Sequence, residues 1–143
     1  YTSMANKDDV LSGDSYFMAE LKSIHRLLNT KSKNAIYCFI DEIFKGTNTT
    51  ERIAASESVL NYLNTCENYR VIAATHDIEL AKYLKDTYKN YHFNESIEKN
   101  HIYFDYKIKE GKANTRNAIE LLRISQFPLN IYQRAMYNVK NFS

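Results

Sequence analysis

Ala35-Ile36-Tyr37-Cys38-Phe39-Ile40-Asp41-Glu42 decides the fold of this 143-residue chain. The apolar run does not alternate, and it stops at two adjacent carboxylates. A short run of that kind suits a strand buried on both faces, as in a parallel sheet. Residues 43–50 follow as a Gly/Thr/Asn loop, with Thr49 or Thr50 placed to cap a helix. Ile53, Ser56, Val59, Leu60 and Leu63 then recur at helical spacing. Val71 to Ala74 is a second short apolar run, closed by Thr75-His76-Asp77, and Ile78, Leu80, Ala81 and Leu84 mark the next helix. Strand, helix, strand, helix is the grammar of an α/β sheet.

Upstream, residues 1–14 are polar and lead to a helix from Tyr16 to about Asn29, with Asp14 and Ser15 as candidate caps. Phe17, Leu21, Ile24, Leu27 and Leu28 form its apolar face. Downstream, Tyr88 to Phe93 and His101 to Ile108 are predicted as two antiparallel strands. Ile102, Phe104, Tyr106 and Ile108 alternate on one face of the second. Two helices close the chain, Ala118 to Ile124 and one opened by Phe127-Pro128, where proline suits the first helical position. Ile131, Ala135, Met136 and Val139 give the last helix its apolar stripe.

Hydrophobic residues make up 44% and charged residues 25%, which excludes an intrinsically disordered class. A net charge of +2 is too mild for a nucleic-acid footprint. No 18-residue apolar run is present, so no membrane span is expected, and the expected compartment is the cytoplasm. Cys38 and Cys66 are read as unpaired thiols in a reducing environment, and the four histidines have no zinc-site spacing. Many of the twelve tyrosines fit core or half-buried strand faces, Tyr103 and Tyr106 among them. Lys107, Lys109, Lys112 and Arg116 read as a solvated face. Glycine is the telling count. Only Gly13, Gly46 and Gly111 are present, so neither a P-loop nor a dinucleotide fingerprint can be built. The chain opens at Tyr1 and is read as a piece of a longer protein.

Asp41 and Glu42 fall at the carboxyl end of a buried strand, where open α/β sheets place their ligands. A carboxylate there can hold Mg²⁺ through water, and its neighbour can orient or deprotonate an attacking water. Both acids could instead cap the next loop. His76 ends the second strand, 34 residues after Glu42, and parallel strands would bring both ends to one crevice. Helix capping is the alternative role for His76. Ser12-Gly13-Asp14-Ser15 precedes a helix start, which is either an anion site or plain capping.

Together these stretches resemble the MutS-type DNA mismatch repair ATPases. Asp41-Glu42-Ile43-Phe44-Lys45-Gly46-Thr47-Asn48-Thr49 resembles their Walker B segment and following loop, and Ala74-Thr75-His76 their switch histidine. Ser12-Gly13-Asp14-Ser15-Tyr16-Phe17-Met18-Ala19-Glu20 resembles their signature segment, and Gly111 and Phe127-Pro128 fit the later region. The resemblance implies the C-terminal part of an ABC-type P-loop ATPase core as one domain over residues 1–143, with parallel strands flanked by helices, an antiparallel strand pair and C-terminal helices. It implies ATP and Mg²⁺ as cofactors, DNA as a partner of the parent protein, and a homodimer sharing its nucleotide sites across subunits. In that reading Asp41 holds the Mg²⁺ shell, Glu42 positions or activates the hydrolytic water and His76 senses the terminal phosphate. Ser12, Gly13 and Ser15 reach the nucleotide of the other subunit, while Thr47, Asn48 and Thr49 communicate between sites. The missing P-loop implies poor ATP binding by this chain alone. Thr50-Glu51-Arg52-Ile53 and Ala118 depart from the family pattern and point to a divergent branch. The alternatives are a chromosome-maintenance ATPase of the wider ABC class, or a non-catalytic dimerisation or DNA-clamp module.

Overall fold

The computed structural model describes residues 2–3, 16–98, 101–113 and 118–141. The expected caps Asp14 and Ser15 lie outside that set. The chain separates into two compact units, residues 1–89 and 90–143.

Among the described residues, the first unit is a three-stranded parallel sheet with three helices. Strand β1 (Thr2–Ser3) and strand β3 (Tyr69–Ala74) flank the central β2 (Ile36–Asp41). Asp41 stands opposite Ala74, and the Glu42 N–H donates to the Ala74 carbonyl at 2.9 Å, carrying the ladder one residue past the strand. The helices are α1 (Tyr16–Leu28), α2 (Thr49–Thr65) and α3 (Ile78–Tyr83). Ile24 and Leu27 of α1, Leu60 and Leu63 of α2, and Leu80 of α3 share one core with Ile36, Cys38 and Ile40 of β2. Leu27, Leu60, Leu63 and Leu80 are fully buried, each contributing about 1.5–3 kcal/mol of transfer free energy.

Strand β2 is not buried on both faces, as its unbroken apolar run predicts. Ile36, Cys38 and Ile40 face the helices, whereas Tyr37 (60% exposed) and Phe39 lie open with Ile72 of β3 (66% exposed). Among the described residues the core forms on one side of the sheet, so a continuous apolar run coexists with an uncovered face. The two cysteines are free, as expected, and burial pushes the Cys38 thiol above its ordinary pKa.

The N-cap of α2 is Asn48, one residue before the expected threonines. Its Oδ1 accepts the Glu51 N–H at 3.0 Å, while the Thr47 hydroxyl donates to Glu51 Oε2 at 2.8 Å. Asparagine outranks threonine as a cap, and the Glu51 carboxylate adds a negative charge to the first turn of α2.

Among the described residues, the second unit holds two small antiparallel pairs. Strand β4 (Tyr91–His92) pairs with β7 (Lys109–Glu110), and β5 (Glu95–Glu98) pairs with β6 (His101–Phe104). The antiparallel sense agrees with expectation, but the partners differ, because part of the supposed link forms β5. Tyr88 joins the first unit instead, its hydroxyl donating to the Leu60 carbonyl at 2.9 Å. The alternation expected through Ile108 breaks at Tyr106, whose φ of +52° turns the chain out of a strand. Tyr103 and Tyr106 are therefore exposed, not half-buried. Helix α4 (Ala118–Ile124) matches its prediction, and α5 (Leu129–Asn141) begins one residue after Pro128. Tyr132 of α5 donates to Glu120 Oε1 of α4 at 2.6 Å. The expected stripe on α5 is only partly covered, with Ile131 and Val139 exposed.

Candidate functional site

Parallel pairing of β2 and β3 brings their carboxyl ends together, and with them Glu42 and His76, whereas Asp41 is not among the residues that line the cleft they share. Asp41 ends β2 on the open face shared by Tyr37 and Phe39. Glu42 lines the cleft and has a left-handed backbone, with φ of +48°. Its carboxylate receives His76 Nε2 on Oε1 and Lys45 Nζ on Oε2, both at 2.9 Å. The His76 side chain is 96% exposed, so packing does not hold it. Glu42, Lys45 and His76 line a cleft of about 270 Å³ together with Ile43, Thr75 and the pair described next.

Arg52 in the first turn of α2 makes a bidentate bond to Asp77, Nε to Oδ2 and Nη2 to Oδ1, each at 2.8 Å. The hydrogen bond from Arg52 holds the Asp77 carboxyl below the ordinary range, and Asp77 in turn raises the guanidinium. Asp77 is the N-cap residue of α3 yet makes no side-chain cap, since both oxygens serve Arg52. Thr75 Oγ1 accepts the Asp77 N–H at 3.0 Å and closes the turn that carries His76.

The loop after Glu42 is tightly held. Ile43 and Phe44 are buried, and Phe44 adopts φ of +61°. Buried Glu20 of α1 accepts the Lys45 and Gly46 N–H groups at 3.2 and 3.3 Å. A Cβ on Gly46 would lie 2.7 Å from Phe17 Cβ, so glycine is required by the close approach of α1. Phe17 packs edge-on against Phe44 with ring centroids 6.1 Å apart. Thr47 and Asn48 are engaged in capping α2, and Thr49 is its exposed first residue. Ser12, Gly13 and Ser15 lie outside the described residues.

Sequence reasoning missed Glu20, Lys45, Arg52 and Asp77 as site-building groups. Arg52 and Asp77 are 25 residues apart with no motif linking them, and only their departure from an expected family pattern singled out the Arg52 stretch. Among the described residues, no cluster of three or more His, Cys, Asp or Glu could hold a metal. No described helix is long and apolar enough to cross a membrane.

The whole chain, residues 1–143, matches the MutS domain V family. It is similar to proteins named DNA mismatch repair protein MutS from several bacteria. The one from Prochlorococcus marinus is 33% identical over 94% of this chain and 15% of its own length. Those from Lysinibacillus sphaericus and Petrotoga mobilis are 30% and 28% identical, over 99% and 94% of this chain and 17% of their own lengths. The chain thus spans about one-sixth of the relatives it matches. With the match running from Tyr1 to Ser143, the chain belongs to the MutS domain V family.

Proposed function

We propose that this chain supplies the hydrolytic end of an ATP site in a longer protein that couples ATP turnover to conformational change on DNA. One observation carries the reading: Glu42 and His76 meet at 2.9 Å across two parallel strand ends. Residues 1–143 would form the C-terminal part of one ABC-type ATPase domain, with the phosphate-cradling loop contributed from elsewhere in the parent.

Glu42 is the candidate general base. Its carboxylate would accept a proton from water at Oε1 once His76 has left that oxygen, while Lys45 holds Oε2 in place. His76 Nε2 would exchange its Glu42 contact for a terminal phosphate oxygen. Asp41 suits Mg²⁺, because Mg²⁺ takes one or two carboxylates and fills its octahedron with water and phosphate oxygens. An exposed carboxylate at a strand end fits that need. When bound, Mg²⁺ would neutralise charge on the phosphates. Ser12, Gly13 and Ser15 would contact nucleotide on a second copy in a homodimer, and Thr47, Asn48 and Thr49 would relay between sites through the start of α2.

The test is single-turnover ATP hydrolysis by the full-length protein carrying Glu42→Gln or His76→Ala. General-base loss is expected to slow hydrolysis by about 10²–10⁴-fold while nucleotide binding persists. Unchanged turnover in Glu42→Gln would refute the proposal and favour a non-catalytic dimerisation or clamp module.

A further inference from the structure

The Arg52–Asp77 pair has no part in the proposed chemistry, yet it borders the same cleft. We propose that it is a positioning pair, which locks the exit of β3 to the start of α2 and so holds His76 against Glu42. The inference rests on the proposed ATPase reading and deepens it.

Four observations converge. His76 is almost wholly exposed, so its imidazole is placed by the backbone of residues 75–77 and by its contact with Glu42. That backbone is fixed from one side by the Thr75 hydroxyl and from the other by Asp77. Asp77 forgoes capping its own helix, the common use of aspartate at that position, to give both oxygens to Arg52. Arg52 stands at the other end of the segment that begins with Glu42, on a helix start already closed by Asn48 and Glu51. A planar fork meeting a carboxylate in two parallel bonds fixes angle as well as distance. The pair thus spans the two chain segments that deliver Glu42 and His76. It is also only partly exposed, 24% for Arg52 and 16% for Asp77, so solvent weakens it less than a surface bridge.

A misplacement of about 1 Å at a reacting group can cost on the order of 10²-fold in rate. Arg52→Ala and Asp77→Asn in the full-length protein are therefore expected to lower kcat for ATP hydrolysis about tenfold or more, with KM for ATP within about twofold. The exchanged pair Arg52→Asp with Asp77→Arg is expected to regain much of the lost kcat, since rescue by a swapped charge reports the contact itself. Arg52→Lys should recover less, because an ammonium lacks the fork. Should Arg52→Ala not fold, Asp77→Asn, nearly isosteric, carries the same test. Glu42→Gln run alongside separates the two claims. If Glu42→Gln abolishes turnover while Arg52→Ala and Asp77→Asn keep wild-type kcat, the positioning role is wrong and the ATPase reading stands. If the single variants lose kcat and the exchange restores none of it, the pair serves general stability and the inference fails. Unchanged turnover in Glu42→Gln removes both.

Discussion

Gly46→Ala sets two opposing effects against each other. Gly46 does not have a positive φ, so alanine can adopt its backbone, and loss of unfolded-state freedom would favour the variant by about 0.4–1 kcal/mol. Against this, the new methyl would stand 2.7 Å from Phe17 Cβ, 3.0 Å from Phe17 Cα and 3.1 Å from Phe17 N. Those atoms belong to the backbone and root of α1, so no rotamer change relieves the contact. Overpacking of this kind costs about 1–3 kcal/mol. The clash wins, and the loop is expected to lose about 1–2 kcal/mol of local stability, a factor of about 5–30 in its opening equilibrium. The amides to watch are Lys45 and Gly46, which donate to Glu20. Hydrogen exchange on the full-length protein should show their protection fall by that factor, with the Leu60 and Leu63 amides unaffected. Gly111→Ala serves as a contrast: it meets no atom within 4 Å but imposes φ of +96° on alanine, so its cost is local strain in the second unit. Unchanged or increased protection of Lys45 and Gly46 in Gly46→Ala would refute the close-approach argument.

Glu20→Ala leaves the Lys45 and Gly46 N–H groups without their acceptor and should cost about 1–3 kcal/mol, read as lost protection of the same amides. Tyr69→Phe removes the hydroxyl bond to the Leu27 carbonyl at the end of α1 and should cost about 1 kcal/mol in denaturant unfolding. The Asp77 pKa is depressed by Arg52, so the pair stabilises the fold above the ordinary aspartate range and loses that contribution as pH falls below about 4 and through the lowered native value. Asp77→Asn should flatten this acid limb; an unchanged pH profile would show that the pair is not linked to folding. Residues 1–143 expressed alone should self-associate through the open sheet face. Phe39→Ser with Ile72→Thr should shift light scattering toward monomer, and a wild-type monomer at high concentration would contradict the idea.

The parallel pairing of β2 with β3 was legible because each strand is a short apolar run closed by polar chemistry, with one helical period between them. Helices α1, α2 and α4 were legible for the same reason. Apolar pattern records what could be buried, not which partner buries it, and so it overstated the cover on Tyr37 and Phe39. The second unit was read less well. Its strands are two to four residues long, too short for a period-2 signal to fix register, and a positive φ at Tyr106 has no sequence signature. At the cleft, the meeting of Glu42 with His76 was legible through local motifs. Arg52, Asp77 and Glu20 act across 25 residues or more, where one sequence holds no distance information.

The left-handed backbone at Glu42 has a consequence for how this segment can change over generations. A glycine or asparagine at 42 would occupy that conformation more comfortably but would bring no carboxylate. Libraries screened purely for heat resistance should therefore drift toward those residues, while libraries screened for nucleotide turnover should keep the acid and tolerate the discomfort. Position 42 is where thermal fitness and activity would be seen to part company.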